Sequence, residues 1–119
     1  MSRKKKRETP EWQWEQALID AYYDYRYHQV LDPLHDQFLR WKAGELSHLE
    51  IDQAIHRTHK QNQELYGLFT ENRAYLVGLI QFDHKWFGEW VKDHPPPEGI
   101  ELVPQALKSS ADIEETKDE

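Results

Sequence analysis

The stretch from Gly44 to Glu50, GELSHLE, restricts the fold of this chain more than any other. Ser47 followed three residues later by Glu50 is a capping-box pattern. The serine hydroxyl accepts from the backbone N–H of Glu50, and the glutamate carboxylate accepts from the N–H of Ser47. Two of the orphan donors at a helix start are thereby satisfied together. Gly44, just upstream, suits the left-handed position that closes a preceding helix. The segment predicts a tight joint between two helices.

Beyond the cap, Ile51, Ile55, Leu65, Tyr66 and Phe69 share one face at about 100° per residue. They predict a helix from Ser47 that either stops near Gly67–Thr70 or continues. Asp52, His56, His59 and Gln63 form a separate polar edge of that helix, about 90° from the centre of the apolar face. His48 lies between the two.

The remaining helix signals are prolines. In Thr9-Pro10-Glu11, Thr9 suits the cap, Pro10 the first turn and Glu11 the positive end of the dipole. A helix is expected from Pro10 to about Leu31. Asp32-Pro33 repeats the signal, and the residue before a proline avoids the α region. A second helix is therefore expected from Pro33 to about Ala43, set at an angle, with Leu34, Phe38 and Trp41 on one face. After the helix from Ser47, another is expected from about Glu71 to Lys92, behind a kink for which Thr70 is the candidate cap. It is the most apolar element, carrying Leu76, Val77, Ile80, Phe82, Trp86, Phe87 and Trp90. His94-Pro95-Pro96-Pro97 ends it, because three prolines favour a stiff polyproline II segment. Ile100, Leu102 and Val103 then either lie back as an extended strap or belong to a disordered tail. The expected architecture is all-α, a small bundle of three to four helices with disordered charged termini. Its parts are a basic tail at 1–8, a helical bundle domain at 9–94, a Pro-rich strap at 95–108 and an acidic tail at 109–119.

Composition excludes several functions. There is no cysteine, so thiolate chemistry is excluded and any zinc site has to use His and carboxylates. The net charge of −7 is uneven: residues 3–7 contribute +5, the last eleven −4, and the body −8. An acidic body disfavours a broad nucleic-acid-binding face. Only Arg3, Lys4, Lys5, Lys6 and Arg7 suit phosphate contact. No apolar segment follows the basic start, and no run approaches the roughly 20 apolar residues of a membrane span. The expectation is a soluble, cytoplasmic protein with no membrane contact. No Gly-rich phosphate loop and no G-x-S-x-G motif occurs. A non-catalytic role without a cofactor is preferred over an enzyme.

Two groups of residues carry functional expectations. Asp52, His56 and His59 have ligand-like spacing, and Asp24 and His28 offer a matching flank on the first helix. Side by side, these five would give a mixed N/O site for a divalent metal. The competing reading is a structural network in which histidines bond to Tyr and Asp. Di-iron bundles use Glu-x-x-His pairs, and the one here, Glu45–His48, straddles the joint. The second group is apolar. The first helix has a main face of Trp14, Leu18, Ala21, Tyr22 and Tyr25, and a second stripe of Ile19, Tyr23 and Val30. A helix apolar on two sides is either sandwiched or used for association. Ile19, Tyr23 and Val30, with Trp86 and Trp90 of the most apolar helix, mark a candidate interaction surface. The leading expectation is a protein-interaction or accessory protein acting through an aromatic-rich surface on another protein chain, including a second copy of itself as a homo-oligomer. The alternatives are a metal-binding bundle and nucleic-acid association through the basic tail.

Trp41-Lys42-Ala43-Gly44-Glu45-Leu46-Ser47, with Glu50 and Ile55-His56, resembles a pattern in small uncharacterised bacterial helical proteins. The likeness is carried by residues that fall between positions 41 and 56. It consists largely of the helix–turn–helix joint and implies no activity.

Overall fold

A computed structural model of the chain describes residues 9–102. Four helices follow in order: α1 Pro10–Lys42, α2 His48–Phe69, α3 Arg73–Gln81 and α4 His84–Asp93. No strand occurs among the described residues, and the fold is all-α as expected. The basic run at 3–7, the acidic tail at 109–119 and the strap beyond Leu102 lie outside the described residues.

The helix starts and stops follow local hydrogen-bond chemistry. Thr9 Oγ1 accepts from the Trp12 N–H at 3.1 Å, which caps α1. At its other end Gly44 N–H bonds to Trp41 O at 3.0 Å and Glu45 N–H to Arg40 O at 2.9 Å. This is the paired closure that needs a left-handed residue, and Gly44 supplies it with φ +82°. Both halves of the capping box open α2: Ser47 N–H donates to Glu50 Oε1 at 3.0 Å and Glu50 N–H to Ser47 Oγ at 3.1 Å.

Three boundaries differ from the sequence expectation. Asp32-Pro33 does not end a helix, because α1 runs through it with Pro33 inside. An interior proline removes one backbone hydrogen bond and crowds the carbonyl four residues back, at a cost of about 3 kcal/mol. Gln29 and Pro33 are both exposed, so water can take up the freed carbonyl. Thr70 closes α2 instead of opening the next helix: its N–H bonds to Tyr66 O at 3.1 Å and its hydroxyl donates to Gly67 O at 3.0 Å. Asn72 caps α3, accepting from the Tyr75 N–H at 2.9 Å. The single helix expected from 71 to 92 is divided into α3 and α4. Phe82 N–H bonds to Leu79 O and Asp83 N–H to Ile80 O, each at 3.0 Å, tightening the end of α3 into a 3₁₀-type turn. Ile80 and Phe87 would share a face of one uninterrupted helix, so apolar spacing cannot reveal this break.

The described residues form two compact units, 9–20 with 72–102, and Ala21–Glu71. The first buries Trp14, Leu18, Leu76, Val77, Ile80 and Phe87. Trp14 meets Phe87 edge-on at 6.4 Å, and its indole N–H donates to the His94 carbonyl at 2.8 Å. That bond ties the end of α4 to the start of α1. Arg73 donates to Trp12 O at 2.8 Å and Gln16 Oε1 at 2.7 Å, and its guanidinium lies 4.1 Å above the Trp12 ring. Its Nε is 3.5 Å from Glu15 Oε1, within ion-pair range but without hydrogen-bond geometry. In the expected strap, Ile100 and Leu102 are half-buried. Gly99 holds φ +97°, and a Cβ there would stand 3.3 Å from Glu11 Oε1.

The second unit is an antiparallel hairpin of α1 from residue 21 onward and α2. Trp41 meets His48 at one end, and Tyr22, Tyr23 and Tyr27 meet Phe69 at the other. Its buried residues are Tyr22, Ile51, Ala54, Thr58 and Leu65.

Candidate functional site

The hairpin of residues 21–71 carries the candidate site, and its seam explains which side chains remain outside. On α2 the buried residues Ile51, Ala54, Thr58 and Leu65 fall at helical spacing on one stripe. On α1 the facing line is Tyr23, Tyr27, Val30, Leu34 and Trp41, which continues through Pro33 without losing register. Tyr23 and Tyr27 lie 4.6 Å apart, and Phe69 meets Tyr23 edge-on at 5.0 Å. Burial, then the neighbouring Tyr23, pushes the Tyr27 hydroxyl pKa above its ordinary value. At the tip, Trp41 Nε1–H donates to His48 Nδ1 at 3.0 Å. The neutral His48 ring therefore carries its own proton on Nε2. A cavity of about 550 Å³ opens beside this pair, lined also by Lys42, Gly44, Leu46 and Ser47.

The residues expected to form an interaction surface are largely engaged within the chain. Tyr23 belongs to the seam, although it is 48 % exposed. Val30 and Ile19 are half-buried. Trp86 stacks on Trp90 at 6.0 Å, Trp90 packs on Trp14 at 5.6 Å, and the His94 ring lies flat on Trp90 at 4.3 Å.

Other large apolar side chains of the hairpin are exposed as well as Tyr23. None of residues 23–50 is buried. Leu31 is 42 % exposed, Phe38 37 %, Ile55 39 % and Tyr66 68 %. At about 100° per residue, Leu31 and Phe38 are rotated roughly 40–60° from the line of Tyr27, Leu34 and Trp41. Ile55 and Tyr66 are rotated by roughly the same amount, in the same sense along the chain, from the line of Ile51 and Phe69. Because α2 runs antiparallel to α1, equal offsets in one sense fall on the same side of the seam. The four side chains thus share one side of the hairpin. The opposite offsets carry Arg26, Arg40, Arg57 and Gln61.

The candidate metal ligands occupy the rim of the apolar side as pairs within single helices. Asp52 Oδ2 lies 3.5 Å from His56 Nε2. On α1, His28 is 3.6 Å from Asp24 and 3.1 Å from Asp32. His59 is exposed. No group of three or more His, Asp or Glu side chains that could hold a metal ion comes together among the described residues. The Asp32 hydrogen bond, then the charges of Asp32 and Asp24, raise the His28 pKa above its ordinary 6.5. Any stability from the two His28 pairs is complete below pH 6.5 and is lost as pH rises through the raised value.

No family model, no curated protein and no solved structure matches this chain. No helix among the described residues is long and apolar enough to cross a membrane.

From the sequence, Leu31 is expected to end a helix, Phe38 to belong to another helix's apolar face, and Ile55 and Tyr66 to the apolar face beyond the Ser47 cap. The signal that separates them is the stripe from Tyr23 to Trp41. Once it continues through Pro33, Leu31 and Phe38 stand beside the seam line instead of on it.

Proposed function

We propose that the protein is a non-catalytic interaction or accessory component that binds protein surfaces through the apolar side of its 21–71 hairpin. The observation that carries this reading is the run from Tyr23 to Glu50, which contains no buried residue yet carries exposed Leu31 and Phe38 on the same side as exposed Ile55 and Tyr66 of α2. Large apolar patches rimmed by polar groups are a mark of association sites. The rim here is made of Asp24, His28, Asp52 and His59. The chain has no cysteine, which suits work in a reducing compartment such as the cytoplasm.

Site-specific photocrosslinking tests the proposal. A benzophenone side chain at position 38 is expected to give protein adducts in the native extract or with pure protein. The same group at position 57, on the opposite side, is expected to give none. Equal yields at the two positions, or no protein adduct at position 38, would overturn it.

A further inference from the structure

Resting on that reading, we infer that the occupant of the apolar side is a second copy of the chain, two hairpins closing antiparallel about a two-fold axis into a four-helix layer. Three observations lead there. The first is the lack of a second layer. A helix pair buries a single seam, and helical domains are built by packing layers on each other. In this hairpin only Tyr22, Ile51, Ala54, Thr58 and Leu65 are buried.

The second is charge complementarity. A two-fold contact requires one surface to be complementary to itself. Asp24 and Lys42 are both exposed. They are 18 residues apart on α1, which is five helical turns, so they occupy the same angular position about 27 Å apart. Leu31 and Phe38 lie between them on nearly the same edge. A two-fold axis crossing α1 at its middle, near Pro33, sets Lys42 of one copy against Asp24 of the other, twice. Asp24 is well exposed beside His28, whose Nε2 lies 3.6 Å from its Oδ1.

The third is size. Two helices each about 30 Å long and about 10 Å apart present a side of roughly 600 Å². That is comparable to the roughly 800 Å² each partner contributes to a standard interface.

Sedimentation equilibrium of the full chain, with far-ultraviolet circular dichroism as the check on folding, tests the assignment. The unaltered chain is expected to be a dimer at about 100 µM, well above the micromolar dissociation constants of modest interfaces. Leu31→Asp with Phe38→Asp is expected to be monomeric with unchanged helix content. Asp24→Lys alone places two lysines together, and Lys42→Asp alone places two aspartates together; each is expected to weaken the dimer about tenfold at low salt. The double exchange, Asp24→Lys with Lys42→Asp, is expected to restore it, a result that does not depend on the apolar variants folding. A monomer at every concentration would overturn the second copy as occupant, while adducts to another protein at position 38 would leave the proposed function standing. A dimer whose single charge variants are not rescued by the double exchange would overturn the antiparallel arrangement.

Discussion

Ser47 shows how far a single residue determines its surroundings. Its hydroxyl and the Glu50 carboxylate satisfy two donors that the helix start would otherwise leave unpaired. Replacing it with Ala is expected to lower the unfolding free energy by about 1 kcal/mol, read by urea titration. The same box has a pH signature. Hydrogen bonds from the Ser47 backbone and side chain hold the Glu50 pKa below its ordinary 4.5. A carboxylate with a depressed folded pKa contributes stability above its unfolded pKa and loses it as pH falls through the folded one. The difference in stability between the unaltered chain and Glu50→Ala is therefore expected to be constant above pH 4.5 and to shrink below it. A difference that grows on acidification would contradict the assigned hydrogen bonds.

At the scale of elements, α1 is the informative case. The sequence places a cap and a proline at residues 32 and 33, and the local rules read them as a restart. The helix continues because the apolar line Tyr23, Tyr27, Val30, Leu34 and Trp41 keeps its register on both sides of Pro33, and seam contacts hold both halves. Tyr23 and Tyr27 meet Phe69 on one side of the proline, and Trp41 meets His48 on the other. Pro33→Ala is accordingly expected to stabilise the hairpin. It restores one backbone donor and removes a ring clash worth about 3 kcal/mol, offset by up to about 1 kcal/mol of added freedom in the unfolded chain. A gain of about 2 kcal/mol in urea unfolding is the expected outcome, and a loss would mean that the proline serves the native structure. The break between α3 and α4 is the opposite lesson. There the apolar spacing stays in phase while the backbone tightens at Phe82 and Asp83.

Across the whole molecule, burial is unevenly distributed. Among the described residues the largest side chains wholly removed from water are Leu18, Leu65, Ile80 and Phe87, and none of residues 23–50 is buried. Stability against local opening follows buried apolar contact. Amide hydrogen exchange is expected to be slowest around those four residues and faster by orders of magnitude over residues 31–50 in a monomeric variant. Uniform protection along α1 in that variant would contradict the distribution of burial described above.

What the sequence by itself determined lies within about five residues of each signal. The Thr9 cap, the Gly44 closure, the Ser47–Glu50 box and the end of α4 at His94 and the prolines all depend on hydrogen bonds or ring geometry of near neighbours. The pairs Asp24–His28 and Asp52–His56 were readable for the same reason, since helical spacing alone brings them together. Only the tertiary structure decided which apolar side chains are covered. Trp86 and Trp90 pack on each other and on Trp14 and His94, while Tyr23 meets Phe69 and still stays 48 % exposed. Leu31, Phe38, Ile55 and Tyr66 stay exposed because a two-helix seam has room for one line of residues from each helix. Helical periodicity ranks residues around an axis, but the contacts of the other helices fix where the covered arc begins and ends.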